Sequence, residues 1–338
     1  MQFRFLKYQF FIATIILINS FCPAQSLVEL YNHNRFSEFK KTLKKKPHLL
    51  RKTSKKDVAI ISYLAGNKYP ESFSYLEFIL DSIPDPPLND FDNKNLTPLV
   101  YACYTGSLSK VSLLVNHGAE INKKGHLGIT ALMCAGMNGN ENIVEFLIKH
   151  GADVNAISEN GITPLIFGLH VGQLNMLSLF LKNGVDLKYH DPDGNSILAY
   201  VCGKSVDGKL PVINYQIVDT ILSLGLDINY PNSFQFTPFM YSVMMGDKGL
   251  IELLIQHGAD VNSQENSGLT PLFIAVQNGY YSVVKLLLEN KANPNIISFE
   301  GHSVKELAGK LGFSDIEQVL SFNNEMPSSS TNFDKSGK

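Results

Sequence analysis

Seven times between residues 97 and 305 the chain writes Thr-Pro-Leu or a near copy of it. The motif stands as Thr97-Pro98-Leu99, Thr163-Pro164-Leu165 and Thr270-Pro271-Leu272. Variants are Thr130-Ala131-Leu132, Ser196-Ile197-Leu198, Thr237-Pro238-Phe239 and Ser303-Val304-Lys305. Successive starts lie 33, 33, 33, 41, 33 and 33 residues apart. A fixed period in this range predicts a stack of like units in place of one closed globule. Such arrays work through extended surfaces, so the functional question is what the array binds.

Each unit has a physical reading. Thr or Ser at the first position caps a helix through its side-chain oxygen, and Pro suits the first helical position. An apolar stretch follows, ending near a Gly nine residues after the cap (Gly106, Gly139, Gly172, Gly246, Gly279, Gly312). Glycine takes the left-handed conformation that terminates a helix. A second apolar helix, such as Val283-Val284-Lys285-Leu286-Leu287-Leu288, stops at His-Gly-Ala-Asp or a variant, as at His150-Gly151-Ala152-Asp153. A Gly two residues before the next cap (Gly128, Gly161, Gly194, Gly268, Gly301) marks a tight turn of positive φ. Asn95 holds that place in the first clear unit.

These residues resemble the ankyrin repeat, whose pattern carries Thr-Pro-Leu, a mid-unit Gly, a Leu-rich second helix and Gly-Ala-Asp-x-Asn. The Asn recurs as Asn122, Asn155, Asn229, Asn262 and Asn295. The resemblance implies an all-α ankyrin-repeat solenoid of stacked helix-turn-helix units with short turn or β-hairpin fingers, over residues 91–322. It also implies non-catalytic binding of another protein through a concave groove and the finger tips. Mapped by position, the candidate contacts are Tyr104, Met137, His170, Met244, Met245 and Gln277 on the first helices, with Phe234 and Phe236 at a tip. Aromatic and Met side chains on such a surface suit a partner interface; they can equally shield neighbouring helices. One departure is consistent: where the family often has His after Thr-Pro-Leu, this chain has Val100, Met133, Ile166, Ala199, Met240 and Phe273. Apolar packing therefore replaces the hydrogen bonds of that His.

The ends differ from the middle. Arg4 and Lys7, the apolar run Phe10–Ile18 and Cys22-Pro23-Ala24 read as a signal peptide, residues 1–24, cleaved after Ala24. The run is too short for a comfortable membrane span, which needs about 20 residues; an uncleaved anchor is the alternative. Bulky Phe21 disfavours lipid attachment at Cys22. The expected compartment is a bacterial periplasm or the exterior, with no membrane insertion after cleavage. Removing Arg4 and Lys7 leaves 27 basic against 31 acidic residues, a net charge of −4; this balance does not suggest nucleic-acid binding. Residues 25–90 read as divergent helical pairs capping the array, and 323–338, rich in Ser, Asn and Lys, as a disordered tail.

Other candidates are weaker. His117, His150 and His257 lie at equivalent places in units about a helix spacing apart. A zinc site needs its nitrogens about 2 Å from one ion, so a helix C-terminal role is expected and no metal. Cys103, Cys134 and Cys202 sit among apolar neighbours, where Cys acts as a small core residue. No catalytic motif stands out, so neither an enzyme nor a cofactor is expected. The basic run Lys40–Lys56 fits either an acidic partner or a solvated capping helix. The long unit from Ser196 to Thr237 places eight extra residues around Ser205–Pro211, between its two helices, and has Gln235 in place of the tip Gly. Two other functions stay open: an inhibitor or immunity-type protein that covers a toxin or hydrolase, and a stress-protection factor acting through its thiols.

Overall fold

The computed structural model describes residues 27–51, 60–206 and 208–324. The expected signal segment, the basic residues Lys52, Lys55 and Lys56, Asp207, and the chain beyond Asn324 lie outside the described residues. Eighteen α-helices and no strand occur among the described residues. They form two compact units: the chain up to Pro192 together with Ser205–Ile217, and Asp193–Lys204 together with the chain from Val218 onward.

In the first unit, helices pair in chain order: α1 (Leu27–Asn32) with α2 (Phe36–Lys45), α3 (Ile60–Gly66) with α4 (Glu71–Ser82), and α5 (Pro98–Thr105) with α6 (Leu108–Asn116). Next come α7 (Ala131–Met137) with α8 (Glu141–Lys149), and α9 (Pro164–His170) with α10 (Leu174–Lys182). Helices α3, α5, α7 and α9 stack as one row and α6, α8 and α10 as another. Small residues permit the close inner row: a Cβ added at Gly136 would stand 3.0 Å from the Pro164 carbonyl oxygen. Val100, Met133 and Ile166, at the position of the family's His, are all buried.

The Thr and Ser caps that the sequence predicts form at Thr97, Thr130, Thr163, Thr237 and Ser303, whereas Ser196 and Thr270 make no side-chain cap bond. The hydroxyls of Thr97, Thr130 and Thr163 accept the backbone N–H groups of Val100, Met133 and Ile166 at 3.3–3.4 Å. Gly106 ends α5 in the left-handed conformation. The His residues serve helix ends: Nδ1 of His117 and His150 lies 2.8 Å from the carbonyl oxygen four residues earlier. His33 does the same after α1, at 2.7 Å, so the divergent first pair follows the rule of the later ones.

An asparagine ladder holds the register. Asn89, Asn122 and Asn155 each donate from Nδ2 to the carbonyl of Gly118, Gly151 or Gly184, at 2.9–3.2 Å. Each also accepts, at Oδ1, the N–H of Glu120, Asp153 or Asp186 at 2.8 Å. One amide thus satisfies a helix-end carbonyl and a turn N–H of the following repeat.

The first two pairs are joined to the array differently. Tyr75 packs against Tyr31, Phe36 and Phe39, with ring centroids 5.1, 4.5 and 4.8 Å away. Lys110 of α6 is buried, and its ammonium donates to the Leu64 carbonyl (2.9 Å), the Ser72 hydroxyl (2.6 Å) and the Asn67 carbonyl. Burial pulls its pKa down to about 8. A buried cation persists only where such acceptors replace water.

The eight extra residues belong to the first unit. Val206 and Lys209 exchange both backbone hydrogen bonds, and Val212 donates to the His170 carbonyl at 3.0 Å. Asn214 donates to the Gly172 carbonyl at 2.8 Å, as Asn140 does to Gly106 at 3.3 Å in a regular repeat. The insertion is therefore absorbed before Asn214, and the start of the following helix keeps its usual anchor.

The second unit contains α11 (Ile197–Val201), most of α12 (Tyr215–Ser223), α13 (Pro238–Met245), α14 (Lys248–Gln256), α15 (Pro271–Gln277), α16 (Tyr281–Glu289), α17 (Val304–Leu311) and α18 (Ser314–Asn324). Its ladder continues: Asn229 and Asn262 donate to the Gly258 and Lys291 carbonyls at 3.1 Å and accept from Asp260 and Asn293 at 2.7–2.8 Å. Ser303 and Glu306 form a capping box at α17. The last helix runs through Asn323 and Asn324, two residues into the segment expected to be tail.

Candidate protein-binding face

The fingers are turns and not strand-bearing hairpins. They close with a backbone bond across five residues, as from Ser158 to Ile162, Asn232 to Phe236 or Glu265 to Leu269, at 3.0–3.1 Å. So short a loop has no room for a ladder. Neighbouring tips are stitched instead: His126 donates to Asn95, Glu159 to Leu127, Asn266 to Phe234 and Phe299 to Ser267, at 2.7–3.0 Å. Gly161 and Gly268 take the expected positive φ, and Asn95 and Gln235 take it too, both at 58°.

In the first unit the candidate side chains lean inward. Tyr104 is half-buried, and its phenol pKa is raised by burial and secondarily by Cys134. Met137 is half-buried. Nε2 of His170 is enclosed with no hydrogen-bond partner; burial first and Lys209 second lower its pKa, so the ring is held neutral. Leu210, Val212 and Tyr215, contributed by or just after the insertion, are exposed apolar groups, and the Val212 N–H bonds the His170 carbonyl.

In the second unit the candidates divide. Phe236 packs on Tyr241, centroids 4.7 Å apart, and Met245 covers Gly203, where an added Cβ would lie 2.5 Å from its Cγ. These two shield neighbours. Phe234 (43% exposed), Met244 (47%) and Gln277 face solvent. Gln277 also borders a concavity of about 250 Å³ whose apolar lining is Leu269, Phe273 and Leu307, with His302 and Lys310 beside it. Phe299, 74% exposed, packs against Gly268 in the adjoining finger. Phe299 is absent from the sequence-derived candidates, although an aromatic in a polar turn was the available signal.

The remaining reactive groups are occupied or sheltered. Cys103, Cys134 and Cys202 are buried free thiols. Burial pushes Cys134 up to about 12 and raises the other two as well, opposite to the lowered pKa of a reactive thiolate. Nε2 of His117 and His257 meets Asp81 and Asp219 at 3.0 and 2.8 Å. Among the described residues no group of three or more His, Cys, Asp or Glu is placed to hold a metal ion.

This architecture is that of a repeat array presenting turn tips and helix faces. The family model for ankyrin repeats matches residues 48–158, 121–191 and 209–298, more than half of the chain. The chain belongs to the ankyrin repeat family, whose members are in general protein–protein interaction modules. The match begins at residue 48, inside the segment that reads as divergent from sequence. The human ASB11 ankyrin repeat domain is similar in fold, with a TM-score of 0.59 at 21% identity; the likeness covers 69% of this chain and 100% of that one. No curated protein sequence matches the chain.

Proposed function

We propose that this protein is a non-catalytic binding module that captures another protein outside the cytoplasm through its finger tips and first-helix faces. The observation carrying this reading is the surface of the second unit, where Phe234, Met244 and Phe299 stand exposed in the same unit as the concavity bordered by Gln277. Exposed aromatic and Met side chains near a pocket are the usual anchors of an interface. Phe236 and Met245 support that surface from partly buried positions, and Tyr104, Met137 and His170 are partly buried candidates of the first unit. Export is supported by the basic, apolar and small-residue sequence of residues 1–24; mass spectrometry of the mature chain should find Gln25 at its N-terminus. The raised thiol pKa values disfavour the thiol-linked alternative.

The test is site-specific photo-crosslinking in the native compartment. A photoreactive residue at Phe299 or Phe234 should give one discrete adduct, and the same residue at Lys285 on α16 should give none. Replacing Phe234, Met244 and Phe299 together with Ser should abolish the adduct formed from a probe at Gln277 while the helical circular-dichroism signal stays unchanged. Equal labelling from all positions would overturn the assignment.

A further inference from the structure

A second concavity lies in the first unit and uses none of the finger-tip residues. It encloses about 570 Å³, within the range of small-molecule sites. The end of α1, helix α3, and the turn into α4 build it. Among the described residues its lining is three tyrosines, three asparagines and one glutamate, with no aliphatic side chain and no cation.

That chemistry selects a ligand class. Glu71 beside otherwise uncharged described lining residues argues against an anion, and the lack of aliphatic side chains among them argues against a lipid or an apolar anchor. A quaternary ammonium needs open aromatic faces. Tyr31 and Tyr63 do not offer them: both are buried, and they meet edge to face at 82°. Tyr31 is also covered by Tyr75, edge to face at 89°. What these two present is polar edges. Tyr63 donates to Oδ1 of Asn32 at 3.2 Å, and the Tyr31 hydroxyl, raised to about 12 by burial, Tyr63 and Glu71, stays a donor at every working pH.

The amides of Asn32, Asn34 and Asn67 carry donors and acceptors side by side, the pairing that adjacent hydroxyl groups require. Tyr69 stands 56% exposed at the mouth, a flat apolar face with a polar tip. The wall is rigid before any ligand arrives. Oδ1 of Asn67 accepts the Tyr69 N–H at 2.9 Å, and the Asn67 carbonyl is held by the buried Lys110 ammonium. Preformed walls lower the entropy lost on binding.

We infer that this cleft binds a neutral saccharide, with Tyr69 stacking on the sugar ring and the asparagine amides and Glu71 hydrogen-bonding its hydroxyl groups. The experiment is calorimetric titration of the full chain with cellobiose and with N,N′-diacetylchitobiose, and with choline chloride as the competing cation. At least one disaccharide should bind saturably with a Kd of about 0.1–1 mM. Tyr69→Ala should weaken that binding about ten-fold and Glu71→Gln several-fold, with unchanged circular dichroism and melting. Absence of heat from both disaccharides up to about 10 mM would overturn the inference. So would binding of choline alone, or saccharide binding unaffected by Tyr69→Ala.

Discussion

Between Asn89 and Asp186 the joins from one repeat to the next use an asparagine that both gives and accepts a bond. The unit that begins at Ser196 and the join into it differ at several points at once. The asparagine position 33 residues after Asn155 is Lys188, which has no acceptor to offer. Ser196 makes no cap bond and its hydroxyl is buried without a partner, α11 has only 5 residues, and the tip carries Gln235 at positive φ. What survives is the anchor at the start of the following helix, Asn214 to Gly172. A repeat array therefore tolerates a longer unit if the extra chain is spent between the two helices of that unit and the helix that follows regains its register. It is also at this break that apolar groups turn outward, at Leu210, Val212 and Tyr215.

The contrast can be broken most severely at a regular tip. Gly161 has φ of 77°, and an added Cβ would stand 2.1 Å from Cδ of Pro192. Gly161→Ala should cost about 2–4 kcal/mol, read as a lower denaturant midpoint. Asn122→Ala removes a donor and an acceptor from the ladder and should cost about 2 kcal/mol in the same assay. The irregular unit should respond with the opposite sign: Gln235→Gly relieves a left-handed side-chain residue and should stabilise by about 1 kcal/mol. A loss on Gln235→Gly would mean that the irregular tip is held by contacts of its own.

The smallest effect concerns pH. The folded-state pKa of His170 lies below its ordinary 6.5, so the unfolded chain binds more protons between the two values. The stability from its neutral ring is present above about pH 6.5 and is lost as pH falls through that window. The melting temperature of the parent protein should drop between pH 7.5 and pH 5.5 by more than that of His170→Leu. An identical drop in both would remove His170 from the account.

Much of the fold is legible from one period, because caps, tip glycines and helix stops are local choices that each unit repeats. Thr97, Gly106 and His117 can be assigned roles without knowing their neighbours. The site is less legible because exposure depends on what the next repeat covers. Phe234 and Phe236 are two residues apart in one finger, yet Phe236 turns in onto Tyr241 and Phe234 faces solvent. Lys110 and the tyrosine-lined cleft are not legible in the sequence for the same reason: their partners lie 38 to 46 residues away for Lys110 and 31 for Tyr63. The Asn residues are visible as a pattern, but the bonds they make reach 29 and 31 residues ahead.

That forward reach has a further consequence. The stretch from Thr130 to Ile162 receives its bonds from Asn122 and sends the same pair onward from Asn155. A tandem copy of the segment would bring its own sender and its own receiver, leaving no join unmade. The molecule can therefore gain or lose length in whole steps of one repeat without new local rules, and the surface it offers a partner becomes a quantity that gene duplication can adjust.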